Sequence, residues 1–424
     1  DNRLTKSQSS TDGGYIWATE EKLFYYMNGM LARRELGEDK VQGLDYAYTI
    51  NGWYKGVNSV TLDEKKDIGE DGDGESTNAN QYVNRDAFGF SLHFFDGDYQ
   101  AIGTGTQMDF LTNLPSGHEN NLYNGNIGDM VVGMTKPQMG GSVQTKMDPQ
   151  WTSYQYDQLN RIRNMASSTT YNTGTQTWST QTNGYTSAYT YDGNGNILTL
   201  LRQKADGVTI DDLTYFYEGN SGTLPTPGTF TKNQLLHVSD DPLYTNTVDY
   251  DVDDQINNNY VYDEIGNLIA DAEEEIANIV WRKDGKIHEI IRTNGSQKPN
   301  LAFMYDEGGT RIAKIVKHAG TIEWEYTHYV RDVSGSVIAT YKQTKIPTDD
   351  NVLILAEHTL YGSKRVGVIK QNIDLQQSIS TGNGLITKTW DRRRGNKNYE
   401  LANHLGNVIN GVSDLKIRVG TGSG

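Results

Sequence analysis

A nine-residue pattern recurs along this chain, and its clearest copy is Tyr-Val-Tyr-Asp-Glu-Ile-Gly-Asn-Leu at residues 260–268. The two tyrosines are two positions apart, so they share one face of an extended strand. Asp263, which follows Tyr262, suits the first position of a type I turn, where its carboxylate accepts backbone N–H groups. Gly266 can supply the positive φ needed to leave such a turn, and Asn267 tolerates the bend. The pattern therefore predicts a β-hairpin.

Further copies of the pattern keep the residue before the turn, the acid or amide that opens it and the residue that closes it. The residues that we expect to build these repeat turns are Tyr156 and Asp157; Tyr191, Asp192, Gly195 and Asn196; Tyr305 and Asp306; Asp332 and Gly335; and His404, Gly406 and Asn407. Catalysis does not need one carboxylate repeated down a chain, so we expect turn capping and no catalytic site. A carboxylate pair that the fold brings together to act on a glycosidic bond stays open as an alternative. For the histidine we expect a hydrogen bond inside its hairpin.

Weaker hairpin signals continue the repetition toward the amino terminus, at residues 25–31, 46–53 and 122–127. The second contains Asn51-Gly52 and the third another Asn-Gly pair, which is the strongest short hairpin signal. The 45 glycines and 27 tyrosines, against only 8 prolines, favour tight turns and strands over helices. No composition shift divides the chain, so we expect one elongated all-β structure.

The charge and the cysteine count exclude several classes of function. The net charge of −16 argues against a nucleic-acid groove, which needs clustered Lys and Arg. The absence of cysteine excludes a disulfide scaffold, a zinc–thiolate site and a cysteine nucleophile. No apolar run is long enough to span a bilayer. Short basic clusters at 364–365 and 392–394 are expected to pair with carboxylates.

The Tyr-Asp hairpins with Gly-Asn turns resemble the YD repeats of the RHS (rearrangement hotspot) family, over nearly the whole chain. Residues 360–363 (Leu-Tyr-Gly-Ser) and 399–408 (Tyr-Glu-Leu-Ala-Asn-His-Leu-Gly-Asn-Val) resemble the RHS-repeat-associated core. The resemblance divides the chain into degenerate YD-like repeats at 1–150, YD repeats at 151–337 and a core-like region at 338–424.

What the resemblance implies is a spiralling antiparallel ribbon of β-hairpins that forms a hollow shell, or a section of one. Edge-to-edge stacking suits such hairpins, because each one alone is marginally stable. In RHS polymorphic toxins the shell encloses a C-terminal toxin during export. We therefore expect a bacterial protein, secreted or on the cell surface, that is not itself an enzyme and needs no cofactor. Its expected partners are its own C-terminal cargo domain, other shell segments and an outer-membrane secretion machine.

The self-cleavage motif of many RHS toxins, Asp-Pro followed by Gly-Leu, has no full counterpart here. Asp148-Pro149 and Asp241-Pro242 lack that continuation and precede the core-like region. Because the chain opens on an aspartate, we expect a piece of a longer protein whose toxin lies outside it, or a variant that does not cleave. The Asn-His-Leu-Gly-Asn-Val sequence resembles a subset of RHS proteins that the type IX route exports.

Two other functions stay open. An autoproteolytic aspartyl site inside the core follows from the family resemblance alone. A cell-surface repeat protein that binds carbohydrate or a receptor would use the aromatic-rich strands, since Tyr and Trp stack well on sugars. Glycan binding that disappears when exposed tyrosines are mutated would favour this second function over the shell.

The acidic stretch at residues 63–80 is predicted to be a flexible surface loop. Asp71, Asp73 and Glu75 alternate as in a calcium loop. However, Ser76 stands where the EF-hand spacing has glycine, and no glutamate closes the loop. Histidines with zinc-binding spacing are also missing. We therefore expect no metal ligand in the chain.

Overall fold

The computed structural model describes most of the chain as strands and turns. The described residues are 2–10, 13–72, 78–101, 110–111, 114, 121–136, 145–168, 171–172, 174–175, 177–178, 184–218, 232–243, 252, 254–345, 352–375 and 393–416. Within these ranges every regular element is a β-strand. No helix of the described residues is long and apolar enough to cross a membrane.

The described strands form two large sheets. The first sheet contains Lys6–Ser9 (β1), Ala18–Tyr25 (β2), Leu31–Leu36 (β3), Gln42–Tyr48 (β4), Tyr54–Val57 (β5), Phe88–His93 (β6), Asp129–Met134 (β7), Gln150–Tyr156 (β8), Ile162–Ser168 (β9), Ser187–Tyr191 (β12), Ile197–Gln203 (β13), Thr209–Tyr217 (β14) and Leu235–Ser239 (β15). Between β9 and β12, Tyr171–Asn172 (β10) and Thr177–Trp178 (β11) form a separate small hairpin.

The second sheet follows the first along the chain. It contains Tyr260–Tyr262 (β16), Leu268–Asp271 (β17), Ile276–Trp281 (β18), Ile287–Arg292 (β19), Asn300–Tyr305 (β20), Arg311–Lys317 (β21), Trp324–Arg331 (β22), Val337–Lys345 (β23), Leu353–Tyr361 (β24), Arg365–Asp374 (β25), Lys397–Ala402 (β26) and Val408–Ser413 (β27).

Strand order in both sheets is the order of the sequence, and neighbouring strands are antiparallel, as in β16–β17 and β22–β23. Within each sheet, every strand except the two at the edges therefore pairs with the strand before it and the strand after it, the inserted small hairpin being passed over. The all-β fold of serial antiparallel hairpins expected from the sequence is confirmed.

The hairpins built on the repeat pattern share one irregularity next to the turn. In β16–β17, Val261 pairs with Ala270, but Tyr262 pairs with Leu268, so the register shifts by one residue. Gly266 lies at φ 91 inside this turn. A type I turn followed by a residue of positive φ gives this kind of bulge and increases the local twist. The glycine of the pattern is thus where the backbone needs it.

The two weaker Asn-Gly signals have different outcomes. Asn51-Gly52 joins β4 to β5, with Gly52 at φ 81, so this hairpin prediction is confirmed. The hairpin predicted at residues 122–127 is wrong in that its turn does not join two paired strands: it lies inside the connection from β6 to β7, shortly before β7 begins at Asp129, and no strand precedes it among the described residues of that connection. Its asparagines are used differently: Asn124 and Asn126 donate side-chain hydrogen bonds of 3.0 and 2.9 Å to Asn160 in the next turn.

The sheets are bridged between β15 and β16. Gln255 lies between the two sheets, where its backbone N–H donates to the carbonyl of Val238 at 3.0 Å. Its side-chain oxygen accepts from the N–H of Val238 at 2.9 Å, and its side-chain nitrogen donates to the hydroxyl of Tyr260 at 3.0 Å. A glutamine thus supplies contacts that a ladder of paired strands would otherwise provide.

The largest apolar core joins the two ends of the ribbon. It unites side chains of β3–β6 with side chains of β24–β26: Leu36, Val41, Leu44, Tyr46, Val57, Ala87, Phe88, Phe90, Leu92, Phe94, Leu360, Val366, Ile369, Tyr399 and Leu401. Strands in the middle of the second sheet are mostly half-buried, as β22 illustrates. Burial is therefore concentrated where the last strands pack on the first.

Candidate functional site

The aspartate of the repeat opens its turn as a backbone acceptor. At Asp263, Oδ1 accepts the backbone N–H groups of Ile265 at 3.0 Å and Asn267 at 2.8 Å. Its Oδ2 accepts the side-chain amide of Asn267 at 2.9 Å. Asp192 makes the same three contacts with Asn194 and Asn196. The asparagine of the pattern thus holds the second carboxylate oxygen, a contact that the sequence reasoning missed.

Other turns vary this arrangement without changing its geometry. At Asp157, the backbone N–H and the guanidinium of Arg161, together with the N–H of Leu159, hold the pKa of the carboxyl below its usual range, although burial acts in the opposite direction. At Asp332, the Ser334 hydroxyl heads the hydrogen bonds that lower the pKa. Asp306 accepts the N–H of Thr310 at 2.7 Å. Each of these carboxylates is thus engaged within its own turn.

A positive φ recurs three residues after each turn acid or amide. The residues at this position, with their φ angles, are Gly195 (94), Gly266 (91), Gly309 (75), Gly335 (87), Gly406 (85) and Asn160 (61). In the last hairpin, Asn403 takes the aspartate position, and its Oδ1 accepts the N–H groups of Leu405 and Asn407, each at 3.0 Å. Asparagine therefore occurs at two different positions of the turn: Asn403 takes the position of the aspartate, and Asn160 takes the position of positive φ.

The residue before the aspartate joins neighbouring hairpins. Tyr262 donates its hydroxyl to the carbonyl of Leu235, the first residue after the preceding turn, at 3.0 Å. Tyr191 reaches Ile162 in the same way at 2.6 Å, and Tyr305 reaches Ile287 at 2.8 Å. Each turn is thereby tied to the one before it.

We call this series of contacts the hydroxyl ladder. Its donors and acceptors in the described residues are Tyr25 to Leu4, Tyr48 to Leu31, Tyr156 to Ile127, Tyr191 to Ile162, Tyr217 to Ile197, Tyr262 to Leu235, Trp281 to Leu268, Tyr305 to Ile287, Arg331 to Arg311 and Tyr361 to Val337. The indole N–H of Trp281 and the guanidinium of Arg331 replace the phenol, so the position selects a long side chain with a donor at its tip.

The ends of the ribbon meet in a buried polar contact, which we call the closure contact. Glu20 of β2 lies against Lys397 and Tyr399 of β26. Lys397 pairs with one carboxylate oxygen, and the hydroxyl of Tyr399 donates to the other at 2.9 Å. The three side chains are almost completely buried. Gly37 fits against the ring of Tyr399 so closely that an added Cβ would lie 3.1 Å from it.

Further contacts extend the closure contact to the turn between β24 and β25. Glu21, which is fully buried, pairs with Arg34 at 2.5 Å and accepts the backbone N–H of Ser363 at 3.2 Å. At the rim, the exposed Arg394 pairs with Asp39 at 3.1 Å. A buried ion pair needs good geometry and additional hydrogen bonds to offset desolvation, and the Glu20 and Glu21 contacts provide both.

Sequence reasoning did not find these residues. The signal available was a set of charged residues on either side of the predicted hairpin at 25–31, at Glu20-Glu21 and at Arg33-Arg34-Glu35. In a strand with one buried face, adjacent charges place at least one of them toward the core. Which partner neutralises the charge depends on contacts between residues more than 340 positions apart, and no local pattern encodes those.

A second group of buried charges lies beside β3 and β4, and we call it the Asp45 cluster: Asp45, Asp67 and Asp71. One carboxylate oxygen of each lies within 4.8 Å of the others. Arg33 pairs with Asp45 and, at 2.7 Å, with Asp71. The loop prediction for residues 63–80 is wrong in this respect, because Asp67 and Asp71 are 0% and 1% exposed. Asp73 and Glu75 lie outside the described residues.

The electrostatics of the Asp45 cluster are those of crowded, desolvated carboxylates. Burial, and then the neighbouring Asp71, raise the pKa of Asp67 to about 7. Burial and Asp67 likewise raise the pKa of Asp45 well above its usual value. The same causes act on the fully buried Asp86, whose pKa also rises. Burial opposes the charge on Arg33, but the attraction of Asp45 and Asp71 keeps its pKa raised.

The remaining predicted positions have structural surroundings. His404 packs near Phe90, with ring centroids 6.0 Å apart, and burial lowers its pKa. The hydrogen bond expected inside its hairpin is not made by Nδ1, which is buried without a partner; the ring lies against the first sheet instead. Arg365 in the basic cluster pairs with Glu400 at 2.6 Å.

Comparisons with known proteins give structural likenesses but no family. No family model matches the chain, and no curated protein matches its sequence. Among solved structures, the crystal structure of TcdB2-TccC3 matches at 12% sequence identity with a TM-score of 0.27. The match covers 97% of this chain and 22% of that chain, so this chain spans about a fifth of the length of that neighbour.

Proposed function

We propose that this chain is a shell segment of a secreted RHS/YD-repeat protein, which encloses or carries a variable C-terminal toxin domain for export and delivery. The observation that supports this proposal best is the closure contact. A ribbon of serial hairpins, whose last strands pack on its first through Glu20, Lys397 and Tyr399, has to curve back on itself. A curved wall closed in this way suits a container.

The half-buried middle of the second sheet adds to this proposal. A single layer of strands leaves both faces partly accessible, as the burial of β22 illustrates. A wall between a cargo and the solvent needs this arrangement, whereas a compact globular domain covers its sheet with a second layer. The proposal includes the chain's own C-terminal domain and further shell segments as partners, and an outer-membrane machine such as the type IX system as exporter.

The proposed role is not enzymatic. The turn carboxylates that repeat along the chain accept hydrogen bonds within their own turns, as at Asp192 and Asp263. The tyrosines that precede them donate their hydroxyls to backbone carbonyls, as Tyr191 and Tyr262 do. Side chains engaged in this way serve the wall, which favours a shell over a protein that binds sugar with its repeated tyrosines.

Electron microscopy of the full-length protein with its native C-terminal region tests the proposal. We expect a lumen that holds density for the C-terminal domain, and protection of that domain from added protease. A Lys397→Met, Tyr399→Phe double variant should weaken the closure and make the domain cleavable, whereas the rim variant Arg394→Met should not. A solid rod without a lumen would overturn the proposal. So would a C-terminal domain that protease cleaves as fast in the unmodified protein as in the double variant.

A further inference from the structure

The Asp45 cluster contains more buried negative charge than its hydrogen bonds balance. Asp45 comes from β4, while Asp67 and Asp71 come from the connection between β5 and β6. All three side chains are buried, at 3%, 0% and 1% exposure. The guanidinium of Arg33 serves two of them. Asp67 accepts the backbone N–H of Gly69 on Oδ2, at 3.0 Å, and has no side-chain donor among the described contacts.

Two carboxylate oxygens in the cluster have no hydrogen-bond partner. They are Oδ1 of Asp67 and Oδ2 of Asp71, and both are shielded from solvent. Buried carboxylates are normally paired, hydrogen-bonded or bound to a metal, since an unpaired one is costly to desolvate. Neighbouring Glu35 and Asp86 add negative charge, and Lys40 pairs with the former. A positively charged ligand would therefore stabilise these two unpartnered oxygens.

The backbone around the cluster leaves room for the carboxylates. A Cβ added at Gly43 would collide with Oδ2 of Asp71, which is one of the orphaned oxygens. A Cβ added at Gly69 would collide with the Asp45 carboxylate and lie 3.0 Å from Oδ2 of Asp67. Both glycines thus border the space in which the acidic groups meet the guanidinium of Arg33.

We propose that the Asp45 cluster binds one divalent cation, Ca²⁺, through carboxylate oxygens of Asp45, Asp67 and Asp71. Calcium takes hard oxygen ligands at about 2.3–2.6 Å, so ligands on opposite sides of one ion lie about 5 Å apart. The separation of at most 4.8 Å in the cluster falls within that span. The ion ties the connection after β5 to β4, in the sheet that supports the closure contact.

This site differs from the calcium loop weighed in the sequence. That pattern used the alternating acids Asp71, Asp73 and Glu75 within one loop. The proposed ligands instead combine two loop residues four positions apart, Asp67 and Asp71, with Asp45 from a strand. The site does not depend on the proposed shell function, because it would bind its ion in a carbohydrate-binding protein as well.

The test is calorimetry on the full chain after treatment with chelator, titrated with CaCl₂ at neutral pH. Thermal unfolding in CaCl₂, MgCl₂ and chelator accompanies it. We expect one Ca²⁺ per chain, a higher melting temperature in CaCl₂ than in chelator, and at least tenfold weaker binding in Asp67→Asn. Asp63→Asn is the matched control. Asp63 lies in the same connection but outside the cluster, and its carboxylate accepts the backbone N–H of Lys65 at 3.0 Å.

The outcomes distinguish a cluster that binds a metal ion from one whose carboxylates hold protons instead. If Asp67→Asn binds Ca²⁺ as tightly as the unmodified chain, the ion binds at another site and the assignment is overturned. A complete lack of Ca²⁺-dependent heat and stabilisation in the unmodified chain would overturn it as well, whether or not the variant folds. In that case the carboxylates would hold protons. Circular dichroism of Asp67→Asn establishes that lost binding is not lost folding.

Discussion

The hydroxyl of Tyr399 donates a 2.9 Å hydrogen bond to Oε2 of Glu20, although the two residues are 379 positions apart. Lys397 neutralises the same carboxylate. The contact lies inside the apolar core that the first and last strands share, so water cannot replace either partner. Its loss should therefore be felt by the whole ribbon.

Lys397→Met should destabilise the protein strongly, because it leaves Glu20 charged and buried. Removing one partner of a buried ion pair costs about 3–5 kcal/mol, and removing one buried hydrogen bond, as in Tyr399→Phe, about 1–3 kcal/mol. Urea unfolding followed by circular dichroism measures both. Arg394→Met, at the exposed rim pair with Asp39, should change stability by less than about 0.5 kcal/mol. Equal losses in the buried and rim variants would contradict a closure centred on Glu20.

Tyr262→Phe should weaken the junction between the sheets. The variant keeps the ring but removes the donor to Leu235, which belongs to the other sheet. One lost hydrogen bond costs about 1 kcal/mol, and hydrogen exchange should rise first at β15 and β16. The control is Tyr82→Phe, since Tyr82 is 77% exposed. Identical exchange in the two variants would show that the hydroxyl ladder does not join the sheets.

Gly195→Ala should destabilise the hairpin of β12 and β13, whereas Gly193→Ala in the same turn should not. Gly195 lies at φ 94, and Gly193 has no positive φ and no atom near an added Cβ. A side chain in the left-handed region costs about 1–2 kcal/mol. At a compatible position, glycine to alanine stabilises by about 0.4–1 kcal/mol. Urea midpoints compare the pair, and equal shifts would mean that the positive φ is not what selects glycine.

Stability should fall in alkaline solution as the ladder tyrosines ionise. Burial, aided by Tyr154 and Tyr215 respectively, raises the pKa of Tyr156 and of Tyr217 to about 12. The unfolded value is about 10. Between these values the folded state keeps protons that the unfolded state has lost. The contribution of these two tyrosines to stability is therefore constant below about pH 10 and declines up to about pH 12.

Urea unfolding at a series of pH values, together with tyrosinate absorbance, measures this decline. A Tyr156→Phe, Tyr217→Phe double variant should be less stable at neutral pH but should lose less stability on the alkaline side. A decline of the same size in the double variant would assign the alkaline sensitivity to other groups.

The local architecture could be predicted from the sequence because the turn carries its own chemistry. Asp263, Gly266 and Asn267 specify the bend within five residues, and the alternation of Tyr260 and Tyr262 specifies the strand. Only the partner of the phenol could not be read there, since Leu235 is reached across neighbouring strands. Trp281 and Arg331 can stand in place of tyrosine in the hydroxyl ladder, because each is a long side chain with a donor at its tip.

The sequence by itself determined that this chain is a series of antiparallel hairpins, because hairpin turns and strand alternation depend on residues only a few positions apart. The tertiary structure alone decided that Glu20 contacts Lys397 and Tyr399, and that Asp67 and Asp71 are buried. Burial and charge pairing depend on which distant surfaces come together, and the curvature accumulated over the whole ribbon sets that meeting.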